Sequence, residues 1–149
     1  MKTIATIGLI AALFTSQPYP VIYDDLALNN ILMVYADQPR EIPMCQFGFE
    51  RNGIRFVNEV RIPYVIESTE TMADFYRPNC DSPDYLGIIH NHNNGICFPS
   101  EVDLERFIND DEASIESIVC YANVKNNHLT MNHYIKDQLS DSIMRMYKQ

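Results

Sequence analysis

Tyr85-Leu86-Gly87-Ile88-Ile89-His90-Asn91-His92-Asn93-Asn94-Gly95-Ile96-Cys97-Phe98-Pro99-Ser100-Glu101-Val102-Asp103 is the stretch on which the reading of the fold turns. Its apolar start, Tyr85 to His92, predicts a central strand buried on both faces. Side chains alternate along a strand, so His90 and His92 at i and i+2 point the same way. Asn93, Asn94 and Gly95 predict a loop, and Ser100-x-x-Asp103 predicts a helix start, a capping box with Asp in place of Glu or Gln. The loop brings Asp103 back towards the two imidazoles. Two histidines and a carboxylate form the three-ligand set of a catalytic zinc, with a fourth position left for water.

The spacing His90-x-His92-x7-Ser100-x2-Asp103 resembles the motif of the JAMM (MPN-plus, or JAB) metallopeptidases, in which a glutamate stands far upstream. The His-Asn-His start, Gly95 and Pro99-Ser100 are nearest the RadC-like branch. Asn93 departs from the pattern, because most members carry proline after the second histidine. The resemblance is close over residues 85–103 and looser over 19–135. It implies an α/β, JAB/MPN-like (cytidine-deaminase-like) fold, a curved mixed sheet with the first helix on one side and the later helices on the other. It also implies zinc held by His90, His92 and Asp103, with Ser100 stabilising the oxyanion. Pro39-Arg40-Glu41-Ile42-Pro43-Met44-Cys45-Gln46-Phe47-Gly48 looks like the family's glutamate segment, which makes Glu41 the acid–base candidate; Glu50, Glu59 and Glu67 stand as alternatives. Pro43 departs from that segment and belongs at a strand start, edge or bulge. The implied activity is hydrolysis of a peptide or isopeptide amide. The competing reading is an inactive JAB-like binding or scaffold module.

Outward from the motif, Tyr19 to Tyr23 predicts a short strand, with Val21, Ile22 and Tyr23 favouring extended structure. Asp24 and Asp25 cap a helix whose stripe is Leu28, Ile31, Leu32 and Tyr35, and Pro39 stops it. Residues 44–50 and 54–61 predict a hairpin turning at Asn52-Gly53. A short strand follows at 64–67, then a helical turn over 69–76 and a polar loop over 77–83. Beyond Ser100 a helix runs to Asn109 with Val102, Leu104 and Phe107 inward. Strands at 115–124 and 128–134 follow, and a last helix carries Ile135, Leu139, Ile143 and Met146 as its stripe. His128 and His133 are expected on strand surfaces.

Residues 1–17, with Lys2 and then an apolar run from Thr3 to Phe14, read as a secretory signal peptide ahead of a JAB/MPN-like domain at 18–149. The run is too short for a comfortable bilayer span. Export (periplasmic or extracellular) is the expectation if the leader is real, with cell-wall peptides or secreted protein tails as substrates; otherwise the protein is cytoplasmic. Cys45, Cys80, Cys97 and Cys120 then allow disulfides in three full pairings. Cys97 as a fourth metal ligand would close the site, which a catalytic zinc does not tolerate. The formal charge of −9 and the lack of a Lys/Arg cluster disfavour nucleic acid as a partner.

Overall fold

The structure, a computed structural model, describes residues 2–4 and 21–149. The leader read at 1–17 therefore lies outside the described residues, apart from Lys2–Ile4 (β1), which pairs antiparallel with Val21–Tyr23 (β2). Among the described residues no helix is long and apolar enough to cross a membrane.

Asp24 caps helix α1 (Asp25–Tyr35) by accepting the Ala27 amide at 2.8 Å. The predicted stripe Leu28, Ile31, Leu32 and Tyr35 is its buried face. Strands β3 (Met44–Arg51) and β4 (Ile54–Arg61) form the expected hairpin. Asn52 and Gly53 both adopt positive φ, 53° and 79°, as a type I′ turn requires. Pro43 falls just ahead of β3, where its missing N–H costs no ladder bond.

The helical turn expected over 69–76 is instead a tight reversal between β5 (Val65–Ser68) and β6 (Ala73–Phe75), a separate two-stranded hairpin. Thr69 closes that reversal with its amide on the Met72 carbonyl, so local hydrogen bonding prevailed over helical patterning. Arg77–Cys80 makes one 3-10 turn within the expected loop.

Strand β7 (Tyr85–Asn91) is buried along its whole length. It runs antiparallel to β3 and parallel to β8 (Ile115–Asn123), and β9 (His128–Ile135) completes the sheet. The seven strands lie in the order β1-β2-β4-β3-β7-β8-β9. Helix α2 (Glu101–Asn109) makes the crossover from β7 to β8. Gly87 is required where those two strands meet: its φ is +149°, and a Cβ there would stand 1.7 Å from the Ile115 carbonyl oxygen.

One core side packs α1 residues Ala27, Leu28 and Ile31 against Met44, Ile89 and Val119. The other packs Phe107 and Ile108 of α2 against Phe47, Ile88 and Ile118, with Leu139 and the partly buried Ile143. The result is a curved mixed sheet flanked by three helices, as expected. Two inward assignments and one outward assignment change. Val102 is 68% exposed on the first turn of α2. The last helix begins only at Asp141 (α3, Asp141–Tyr147), because Ile135 ends β9 and a 3-10 turn intervenes, which leaves Met146 exposed. His133 is buried rather than on the surface, with its Nδ1 2.8 Å from the Ser117 hydroxyl.

Candidate metal centre

Strand alternation sets the site. Ile88 belongs to the α2-side core, so His90 and His92 continue on that side while Ile89 and Asn91 face α1. His90 is buried; His92 follows the last strand residue, its amide donating to the Val119 carbonyl at 2.8 Å. The chain then turns and reaches Ser100, the N-cap of α2. The Ser100 Oγ accepts the Asp103 amide at 3.1 Å, and the Ser100 amide donates to Asp103 Oδ2 at 2.9 Å, the complete capping box. That box aims the carboxylate. Oδ2 lies 3.3 Å from His90 Nε2 and 3.2 Å from His92 Nε2, and the two Nε2 atoms are 3.1 Å apart.

Donors about 2.0–2.1 Å from a tetrahedral zinc stand about 3.3–3.4 Å from one another. The observed triangle therefore matches one face of such a tetrahedron, and its donor set of two imidazoles and a carboxylate suits zinc. Both imidazoles turn Nδ1 away from the triangle and Nε2 towards it. His92 Nδ1 lies 3.1 Å from the Ile96 carbonyl, and His90 Nδ1 sits 3.2 Å from Glu116 Oε1 without hydrogen-bond alignment. Glu116 also accepts a hydrogen bond from Arg106 Nη2, and that guanidinium is 3.7 Å from Asp103 Oδ1.

The field at the triangle favours positive charge. Burial alone would lower the His90 pKa, but the negative charges of the Asp103 and Glu116 carboxylates beside it carry it up to about 9. Burial would raise Asp103; His90, His92 and Arg106 overcome it and hold the carboxyl far below its usual range. Glu41 behaves oppositely. Burial lifts its pKa above the ordinary carboxylate value, although His90 and His92 pull it down. Its Oε1 lies 3.9 Å from His92 Nε2. Glu50, itself exposed, pairs instead with the buried Arg55, Glu59 pairs with Arg61 on an exposed strand face, and Glu67 is exposed on β5. Of the four glutamates read from the sequence, Glu41 is the one beside the imidazoles.

Glu41, His92 and Ser100 line one cavity of about 270 Å³, together with Glu70, Thr71, Asn93 and Asn94. Ser100 Oγ spends one lone pair on the Asp103 amide, and its hydrogen and second lone pair remain. Cys97 is not a donor to the triangle, because it is bonded to Cys120; Cys45 is bonded to Cys80. Cys120 stands where the β8–β9 register shifts between Val119 and Tyr121, and the bond ties the histidine loop to that bulge.

Three contributors, Glu116, Arg106 and Asn91, were not singled out in the sequence, and Asn93 was noted only as a departure from the family's proline. Glu116 and Arg106 back the histidine and aspartate, while Asn91 and Asn93 bind the segment that carries Glu41. A lone acid in the apolar run Ile115–Cys120 was the available signal for Glu116.

No family model matches the chain, and no curated protein sequence does. Among solved structures, a JAB1/MPN domain protein from Archaeoglobus fulgidus shares the fold with a TM-score of 0.50 at 21% identity, over 79% of this chain and 89% of that one. The architecture is thus the α/β fold of JAB1/MPN domains, built around a histidine–histidine–aspartate group able to hold a metal ion.

Proposed function

We propose that the protein is a zinc-dependent amide hydrolase of the JAMM type. One observation carries this reading: three donor atoms spaced as a tetrahedral face adjoin a cavity that also presents Glu41 and Ser100. His90, His92 and Asp103 hold the ion. Zinc supplies Lewis acidity towards a carbonyl and towards water at neutral pH.

The remaining work falls to the chain. Glu41, raised in pKa by burial, takes the proton of the attacking water and returns it to the leaving amine. Ser100 donates its hydroxyl hydrogen to the oxygen of the attacked carbonyl, where charge develops. The Ser100 amide, by holding Asp103 Oδ2, couples that hydroxyl's position to the ligand beside it. Two disulfides suit an oxidising compartment, which supports the export reading of residues 1–17 and hence extracytoplasmic peptide substrates.

Metal content and hydrolysis test the proposal together. Zinc-loaded protein is incubated with muropeptides and, separately, with ubiquitin-like conjugates, alongside Glu41→Gln and His92→Ala. The expected result is one zinc per chain and cleavage that falls at least about 100-fold in Glu41→Gln, the scale of a lost general base. His92→Ala should lose zinc as well as activity. Zinc binding without hydrolysis of either set, unaffected by Glu41→Gln, favours the binding-module reading. Cleavage of conjugates alone rejects the extracytoplasmic substrate.

A further inference from the structure

Residues 39–42 belong to neither helix nor sheet, so their backbone groups need partners from elsewhere. They obtain them from the two asparagines that flank His92. Asn91 Nδ2 donates to the Arg40 carbonyl at 2.9 Å, and its Oδ1 accepts the Ile42 amide at 2.8 Å. The peptide units on both sides of Glu41 are thereby held by one side chain. Asn93 Nδ2 donates to the Pro39 carbonyl at 3.0 Å and to the Glu70 carbonyl at 3.2 Å, while its Oδ1 accepts from Asn91 Nδ2 at 3.1 Å. The hairpin tip closes the ring, because the Glu41 amide donates to Thr69 O and the Ser68 hydroxyl donates to Glu41 O, each at 2.7 Å.

We propose that Asn93, acting with Asn91, is a positioning residue that holds Glu41 beside the imidazoles and pins the β5–β6 tip at the cavity mouth. This rests on the reading of Glu41 as the acid–base group. Asparagine is needed for a chemical reason. Both carbonyls that Asn93 meets require donors, and its own oxygen is taken by Asn91, so the amide is fully used and its orientation fixed. Aspartate has the same shape but offers no donor. The geometry also explains why the clamp sits on the ligand segment. Asn91 faces away from His90 and His92 on the same strand, so one rigid element places both the metal donors and the glutamate. A displacement near 1 Å is enough to cost about 100-fold in rate.

A role confined to satisfying loop carbonyls would leave Glu41 out of account, and a double-mutant cycle separates the two. In the full zinc-loaded chain, with whichever substrate set the wild type cleaves, Asn93→Ala and Asn93→Asp should lower kcat by about 10–100-fold with KM little changed. Zinc affinity, read by competition with a chromogenic chelator, should stay within about threefold, because the donors are anchored elsewhere. In a Glu41→Gln background Asn93→Ala should add less than about threefold, since the residue through which it acts is already disabled. A full multiplicative loss in the double variant overturns the inference, as does a zinc affinity that falls in step with kcat. Amide exchange gives a readout independent of catalysis. Glu41 and Ile42 should exchange at least about tenfold faster in Asn93→Ala while Phe47 in β3 does not change. Unaltered exchange at Glu41 and Ile42 overturns the clamp even if activity falls. If the wild type hydrolyses nothing, the hydrolase reading fails on its own, and exchange still decides whether Asn93 holds this segment.

Discussion

Glu116 stands in a strand of isoleucine, valine and cysteine, almost wholly out of water, and such a charge persists only where it is paired. It pairs with Arg106 and stands 3.2 Å from the far nitrogen of His90, the place from which an outer carboxylate would orient a metal-binding histidine. Replacing it with glutamine keeps the shape and removes the charge that both partners answer. Glu116→Gln should weaken zinc binding by about 10–100-fold, measured by chelator competition, while the helix and strand content seen by circular dichroism is retained. An affinity equal to wild type would show that the contact is incidental. At this scale the sequence was legible where chemistry repeats at short range. His90, His92, Ser100 and Asp103 lie within one turn of chain, and their offsets state their geometry. Glu41 was reached only through the resemblance of residues 39–48 to the family's glutamate segment, from which Pro43 departs. Asn91 and Asn93 were not legible, because their partners at Pro39, Arg40 and Ile42 are about fifty positions away and an asparagine between histidines looks like any loop residue.

The loop from His92 to Ser100 has no regular structure of its own, yet it fixes two of the three donors. Besides the bonds of Asn93, three attachments converge on Cys97. Cys97 is bonded to Cys120, and its carbonyl accepts Tyr134 Oη at 2.6 Å and Asn132 Nδ2 at 2.9 Å. A cross-link closing a loop of this length stabilises by about 3 kcal/mol through the unfolded chain. The paired change Cys97→Ser with Cys120→Ser should therefore lower the melting temperature by about 6–12 °C in a chain of this size, seen by calorimetry. Zinc affinity should fall less than in Glu116→Gln, because Tyr134 and Asn132 still seat the loop. A melting temperature within a degree of wild type would refute the attachment. Elements with a strong period or a named turn were legible, as with α1, the Asn52-Gly53 hairpin and β7. The hairpin at 65–75 was not, because Thr69 closes the reversal by hydrogen bonds that no apolar pattern records. Val102 misled because an apolar residue at a helix start satisfies the period without facing the core.

Across the molecule, Asp110 joins what the sheet alone does not. Its carboxylate takes a forked pair of bonds from Arg77 at 2.8 and 3.0 Å and the Tyr85 hydroxyl at 2.9 Å, and its carbonyl accepts from Lys136. The 3-10 turn after β6, the start of β7, the end of α2 and the end of β9 meet there. Burial works to raise the Asp110 pKa, but Arg77 and Tyr85 outweigh it and hold it below the ordinary carboxylate value. Stability linked to a depressed carboxyl is complete above its unfolded pKa, near 3.9, and is lost as pH falls through the folded one. Asp110→Asn should cost about 1.5–3 kcal/mol at pH 7 and flatten the fall in stability below about pH 4, read from urea midpoints across pH. An acid limb identical to wild type would exclude Asp110 as a source of it. Mixed α/β class could be read from the chain, but the sheet order could not. A periodic strand announces that it pairs without naming its partner, and β2 beside β4 or β3 beside β7 brings together residues far apart in sequence. The tail of the chain carries one practical outcome. Gln149 donates its amide to Asn109, and Asn109 donates back to the Tyr147 carbonyl, so the final residues grip the far end of the helix whose first turn offers Asp103. Asn109→Ala would cut both bonds and loosen that rod at its far end, so Asn109 is best left intact in any variant used to titrate metal.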